Sequence, residues 1–305
     1  MPKLSFAEAK ALITEGKEAL GQGGFAKVFP GNMPVAVAEL LTKKIPSNFL
    51  KPMLSTLTKL YANPHKHIVP IFGYALDEVK GGYEGALITK RMRESLKDAA
   101  LSPLERIVAC LDIAKGLQHM HALGLVHLDV SPDNVMTDGT GLARSWCLID
   151  FGVSRPLTMA IGNDHQSMSV FVGKRKYACP TFKQNLRVSF ATDVFSFGVS
   201  ALVVLSGASN FEDREKLISE TKLDSAWARN PALFARLRKL IENCCASTPA
   251  DRMSLAPVVD AVLDSLRAGP THSETVVRGC LLLPVSVIMF SMTRSVPYAD
   301  FLTVG

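Results

Sequence analysis

A chain of 305 residues with 48% hydrophobic and 20% charged residues has ordinary globular usage, which argues against a wholly disordered or fibrous protein. It exceeds the ~250 residues at which single cores stop growing, so one compound unit of two lobes or domains is expected. Thirty-four Lys+Arg against 28 Asp+Glu leave a net charge of +6, which suits an acidic partner, but there is no long basic run of the nucleic-acid-binding type.

The first residues, MPKLSFAEAK, lack the apolar core of a signal peptide, and residues 1–12 read as an N-terminal extension. Short β-branched runs with Gly, Pro and Asn punctuation come next: KVFPG (27–31), PVAVAEL (34–40), HIVPIFGY (67–74) and GALITKRM (85–92). These predict a small antiparallel sheet, interrupted by one helix over Lys51–Tyr61, where Met53, Leu54, Leu57 and Leu60 recur at three- and four-residue spacing. From Pro103 the period becomes helical. Ile107, Cys110, Leu111, Ile113, Ala114, Leu117 and Met120 line one long helix ending near Gly124, and further helices are expected over Asp193–Leu205, Pro231–Cys245 and Leu255–Leu266. A β-rich lobe followed by a helical lobe is an α+β arrangement. The predicted divisions are 13–92 for the first lobe, 93–268 for the second and 269–305 for a tail of unassigned role. The apolar tail segment Cys280–Met292 is broken by Pro284 and falls short of the ~18 apolar residues a membrane span needs, so it reads as buried or partner-facing. The six cysteines (Cys110, Cys147, Cys179, Cys244, Cys245, Cys280) form no Cys-x-x-Cys pair and have no accompanying His spacing. Reduced thiols in a cytoplasmic protein are therefore expected, not a zinc site.

Several motifs carry chemistry. Gly21-Gln22-Gly23-Gly24-Phe25-Ala26-Lys27-Val28 puts glycines directly before a strand, where missing side chains let backbone amides approach phosphate. Alone that signal is weak. Its specificity comes from the ordered series of motifs C-terminal to it: VAV at Val35–Val37, HLDVSPDN at His127–Asn134, DFG at Asp150–Gly152, YACP at Tyr177–Pro180, DVFSFGV at Asp193–Val199, and Arg252 after Pro249. Together these resemble the protein-kinase signature set, nearest in flavour to the tyrosine-kinase-like group with its receptor-associated and plant receptor-like kinases.

The resemblance implies a bilobal kinase fold from about Ile13 to about Ala268, with ATP and Mg²⁺ as cofactors and a protein substrate or partner in signalling. It implies Asp129 as the base that accepts a hydroxyl proton, and Asn134 and Asp150 as Mg²⁺ ligands. The ATP-binding positions would be Gly21, Gly23, Phe25, Val28 and Ala36 above the nucleotide and Met136 below the base. Thr89 resembles the gatekeeper before the hinge Lys90–Met92. The structural alternative is that Asp129 caps backbone amides, that Asn134 serves a turn, and that the apolar positions are plain core.

Five positions depart from the pattern. The phosphate-gripping lysine of the third strand is Ala38, and its glutamate partner on the following helix is Met53. Removing one partner of a buried pair costs ~3–5 kcal/mol, whereas removing both leaves an Ala–Met contact able to pack. Lys27 falls on the opposite face of its strand, and Lys43 and Lys44 lie past the strand, so none is a ready substitute for Ala38. Leu128 replaces the arginine that grips a phosphorylated activation loop, and Ser131 replaces a cation that neutralises transferring phosphate. Thr181 replaces a glutamate, so Arg252 needs another acceptor or stays solvated. Thr158, Ser167 and Ser169 are candidate phosphate acceptors, and Lys174-Arg175-Lys176 is either a solvated loop or a receptor for an acidic substrate or phosphate. Two functions are compatible with this set: a pseudokinase or very weak kinase acting through protein contacts, or an active atypical Ser/Thr kinase.

Overall fold

Alternating apolar residues in the N-terminal part form strands whose period lets them pair side by side. They are β1 (Lys3–Leu4), β2 (Gly21–Gln22), β3 (Ala26–Pro30), β4 (Val35–Leu40), β5 (Ile71–Val79) and β6 (Gly82–Lys90), hydrogen-bonded in the order β1-β5-β6-β4-β3-β2. The computed structural model describes residues 1–13, 21–22, 26–30, 35–40, 47–79, 82–140, 144–157, 165–207, 211, 217 and 231–267. The chain divides into two compact units, Met1–Asp260 and Ala261–Gly305.

All neighbours in this sheet are antiparallel except β1, which runs parallel to β5 with Lys3 opposite Tyr74 and Leu4 opposite Ala75. Residues 1–12, expected only as an extension, thus add an edge strand and a helix, α1 (Phe6–Ala11). Ser5 caps α1 reciprocally: its hydroxyl accepts from the Glu8 amide at 3.2 Å, while the Glu8 carboxylate accepts from the Ser5 amide at 2.7 Å. Ala9 is fully buried with Ala75, Ala86 and Ile88, and Leu4, Leu12 and Ile13 pack against this cluster.

The helix expected over Lys51–Tyr61 is α2 (Ser47–Ala62), one turn longer at its start with Pro52 inside it. Burial of Leu50 explains the extra turn, since Leu50, Leu57 and Leu60 continue one apolar stripe. The run 67–74 is only partly strand. Pro70 has no amide to offer a ladder, and residues 67–69 pair instead with Leu148: its amide donates to the His67 carbonyl at 2.9 Å, and its carbonyl accepts from the Val69 amide at 3.0 Å.

The helical part begins with β7 (Glu94–Ser95) and α3 (Pro103–Ala122). Ser102 caps α3 with Glu105 as its reciprocal partner and Pro103 in the first turn. The remaining elements are β8 (Leu125–Val126), β9 (Val135–Thr137), β10 (Cys147–Leu148), β11 (Arg155–Pro156), β12 (Gln166–Ser167), α4 (Pro180–Asn185), β13 (Arg187–Val188), α5 (Phe190–Ser206), α6 (Pro231–Cys244) and α7 (Leu255–Arg267). Every residue of α5 from Thr192 to Leu205 is buried, as its nearly continuous apolar sequence requires. α5 packs against α3 and α6 and forms the centre of the helical core. α7 starts in the first unit, and its residues 261–267 are the described part of the second. No helix among the described residues is long and apolar enough to cross a membrane. A sheet-rich part followed by a helical part makes the fold α+β, as expected.

Candidate functional site

The loop between β8 and β9 is held from below by one carboxylate. Asp193, in the first turn of α5 and fully buried, accepts from the His127 amide at 2.8 Å and the Leu128 amide at 2.9 Å, and its Oδ2 lies 3.0 Å from His121 Nε2. Three donors and a helix N-terminus offset the burial of this charge. The clamp also holds Leu128 at φ 67, a left-handed conformation that costs a leucine about 1 kcal/mol or more. The sequence marks the motif around Asp193 but not this role. Where the motif would carry arginine, Leu128 is instead a buried apolar side chain.

Above the clamp sit the three chemical residues named from the sequence. Asn134 donates from Nδ2 to the Asp129 carbonyl at 2.8 Å and to Asp129 Oδ2 at 2.7 Å, which leaves its own Oδ1 as the acceptor end. Strands β9 and β10 pair antiparallel, Met136 opposite Cys147, and the Ile149 amide donates to the Asn134 carbonyl at 3.0 Å. That pairing brings Asp150 to the same end of the hairpin as Asn134. Asp150 is exposed at φ 59, a conformation Asp tolerates, and its Oδ1 accepts from the Gly152 amide at 3.2 Å. Next to it Phe151 is buried, with its ring 5.6 Å from that of His127. One amide oxygen and one exposed carboxylate suit Mg²⁺, which takes few protein oxygens and completes its shell with water and phosphate.

A fourth residue joins this group. Lys174 donates from its backbone amide to Asp129 Oδ1 at 2.7 Å, and from Nζ to Asp129 Oδ2 at 3.2 Å and Ser131 Oγ at 3.0 Å. In sequence alone, Lys174-Arg175-Lys176 fits a solvated loop as well as a phosphate receptor. Beside it opens a cavity of about 490 Å³, lined by Pro132, Asp133, Lys174, Arg175 and Tyr177 among others, with Lys97 Nζ 2.8 Å from Asp133 Oδ1 at its edge.

Of the positions expected beside a nucleotide, Gly21, Val28, Ala36 and Thr89 fall in one neighbourhood of the six-stranded sheet. Gly21 is opposite Val28, Val28 opposite Ala38, and Ala36 opposite Thr89, so Val28, Ala36, Ala38 and Thr89 share one face. Val28, Thr89, Met92 and Met136 are half-buried, whereas Ala36 and Ala38 are described by their backbone. Lys27 is in register with Glu39 and so falls on the other face. Gly23, Phe25, Lys43, Lys44, Thr158 and Cys280–Met292 lie outside the described residues; Ser167 and Ser169 are exposed. Met53 is half-buried in α2, four residues before the buried Leu57. Thr181 is half-buried in α4, and Arg252 has found other acceptors. Its guanidinium donates to the carbonyls of Ala246 at 2.7 Å, Ala191 at 2.8 Å and Ser247 at 2.9 Å, and lies 4.9 Å from the Phe195 ring centroid.

Comparison with known proteins fits this geometry. The chain is 27% identical over 79% of its length to the receptor protein kinase WSS1 of Oryza sativa subsp. japonica, covering 27% of that protein. It is 30% identical over 64% of its length to the L-type lectin-domain containing receptor kinase IV.3 of Arabidopsis thaliana, covering 30% of it. It is 26% identical over 88% of its length to the probable receptor-like protein kinase At5g24010 of Arabidopsis thaliana, covering 36% of it. The chain thus spans about a third or less of the length of these relatives. The protein kinase domain model matches residues 14–263, and with the clamped catalytic loop, the Asn134–Asp150 hairpin and the α+β bilobal fold it places this chain in the protein kinase family.

Proposed function

We propose that this domain binds Mg-ATP and acts in signalling through protein contacts, as a pseudokinase or a very weak kinase. One contrast carries the reading. Asp129, Asn134 and Asp150 are gathered around the catalytic loop, while the phosphate-gripping lysine and its glutamate are Ala38 and Met53. Asn134 and Asp150 would hold Mg²⁺, which would supply charge neutralisation for the phosphates. Gly21, Val28, Ala36, Thr89, Met92 and Met136 would line the nucleotide, with Gly23 and Phe25 of the same glycine-rich stretch covering it. The division into lobes at 13–92 and 93–268 belongs to this proposal. So does a cytoplasmic setting, in which reduced cysteines are the expected state.

Each lost electrostatic contact to a transferring phosphate costs ~10²–10³ in rate, so several together take a kinase of roughly 1–100 per second to a negligible one. The second reading, an active atypical Ser/Thr kinase, is favoured by the ordered environment of Asp129, which keeps a base in place.

Thermal unfolding with and without Mg-ATP, beside a phosphotransfer assay, separates these readings. At ten times its Kd, Mg-ATP adds roughly 1.4 kcal/mol, a Tm rise of about 3 °C, which Asp150→Asn removes. Wild-type phosphate incorporation stays within a few-fold of the Asp150→Asn background, and the joint change Ala38→Lys with Met53→Glu raises it at least tenfold. Transfer at an ordinary kinase rate by the wild type establishes the second reading; no Tm response in any variant removes nucleotide binding altogether.

A further inference from the structure

Position 131 carries a fully buried hydroxyl and no cation, yet an ammonium stands beside it. Lys174 Nζ lies 3.0 Å from Ser131 Oγ and 3.2 Å from Asp129 Oδ2, while the Lys174 amide donates to Asp129 Oδ1 at 2.7 Å. The lysine belongs to a different segment, 43 residues further along the chain. Its approach depends on Gly173, which turns at φ 83 and leaves no room for a side chain: a Cβ there would sit 2.4 Å from the Leu128 carbonyl oxygen. The Lys174 side chain is 38% exposed against 13% for Asp129, so the ammonium bonds the carboxylate from the open side.

The position of that ammonium bears on phosphate. A base must lie within hydrogen-bond reach of the hydroxyl it serves, and that hydroxyl within roughly 3–3.5 Å of the phosphorus it meets. A cation in contact with the base is therefore within roughly 10 Å of that phosphorus before its own side chain moves, and the flexible lysine stem can shorten the gap. We propose that Lys174 is the phosphate-facing cation of this site, delivered from the segment after DFG in place of one on the catalytic loop. It orients Asp129 through its amide and meets the γ-phosphate of ATP through its ammonium. The inference rests on the reading that the cleft holds Mg-ATP.

The test is the affinity of the full chain for Mg-ATP and Mg-ADP, measured by calorimetry. Lys174→Met lowers Mg-ATP affinity about tenfold, the value of one charged hydrogen bond, and changes Mg-ADP affinity less than twofold. Lys174→Arg retains most of the discrimination, and Ser131→Lys in the Lys174→Met background restores it. Because the readout is the ratio of two ligands, a general weakening of the fold cancels. An unchanged ATP:ADP ratio in Lys174→Met, or an equal loss of both, overturns the role of Lys174 while leaving nucleotide binding intact. A wild type that binds neither ligand overturns nucleotide binding and this role with it.

Discussion

A buried pair near the site shows how two single side chains set a response to pH. His67 Nδ1 lies 3.0 Å from the Trp146 carbonyl oxygen and its Nε2 3.4 Å from Asp112 Oδ1, while Asp112 Oδ2 accepts from the Trp146 amide at 3.0 Å. Burial pushes the His67 imidazole down to about 3 and the Asp112 carboxyl up to about 7. His67 alone binds fewer protons folded than unfolded from about pH 3 to 6.5, so its share of stability grows as pH rises. Asp112 alone binds more protons folded than unfolded from about pH 4 to 7, so its share falls as pH rises. Together they carry one proton in either state between about pH 4 and 6.5, and the contributions cancel. Urea unfolding of Asp112→Asn should show stability climbing by up to about 1.4 kcal/mol per pH unit across that window, and His67→Gln should show it descending. Parallel slopes in the two variants would contradict the cancellation. None of this is legible in the sequence, where His67 and Asp112 are far apart. The acceptors of Arg252 were equally hidden: the missing glutamate could be read from Thr181, but the carbonyls of Ala191, Ala246 and Ser247 meet only in the fold.

Among the elements, the junction between the catalytic loop and the segment after DFG depends on one glycine. Gly173 and Gly124 both adopt positive φ, at 83 and 71, but a Cβ at Gly173 meets the Leu128 carbonyl oxygen at 2.4 Å whereas one at Gly124 meets nothing within 4 Å. Gly124→Ala should therefore cost only the conformational term, about 1 kcal/mol. Gly173→Ala adds a backbone clash and should cost roughly 2–3 kcal/mol, and it also displaces Lys174 from Asp129. Chemical denaturation of both variants checks the difference, and equal losses would mean the segment shifts without strain. Element types were largely readable because period and caps agree, as in α3 with Ser102, Pro103 and Glu105. The exception at 67–70 came from pairing: an apolar run looks the same whether it joins the sheet or bonds Leu148 across the molecule.

At the scale of the whole molecule, β1 and α1 precede the matched kinase segment but belong to its sheet and core. Deleting residues 1–12 uncovers Ala75, Ala86 and Ile88 and removes the packing of Leu4, Ala9 and Leu12, a loss of about 2–4 kcal/mol. A lower urea midpoint in the trimmed chain is expected, and an unchanged one would make these residues ornamental. By itself the sequence determined the family and the α+β order, and it named the candidate residues of the site. Those are properties of residue type and spacing, and HLDVSPDN and DFG carry them locally. Only the tertiary structure decided that the Lys174 ammonium stands beside Ser131 and Asp129, that Arg252 rests on carbonyls, and that β1 adds an edge strand to the sheet. Each of these joins residues through space, and the hydrogen bonds that decide them leave no periodic trace in the chain.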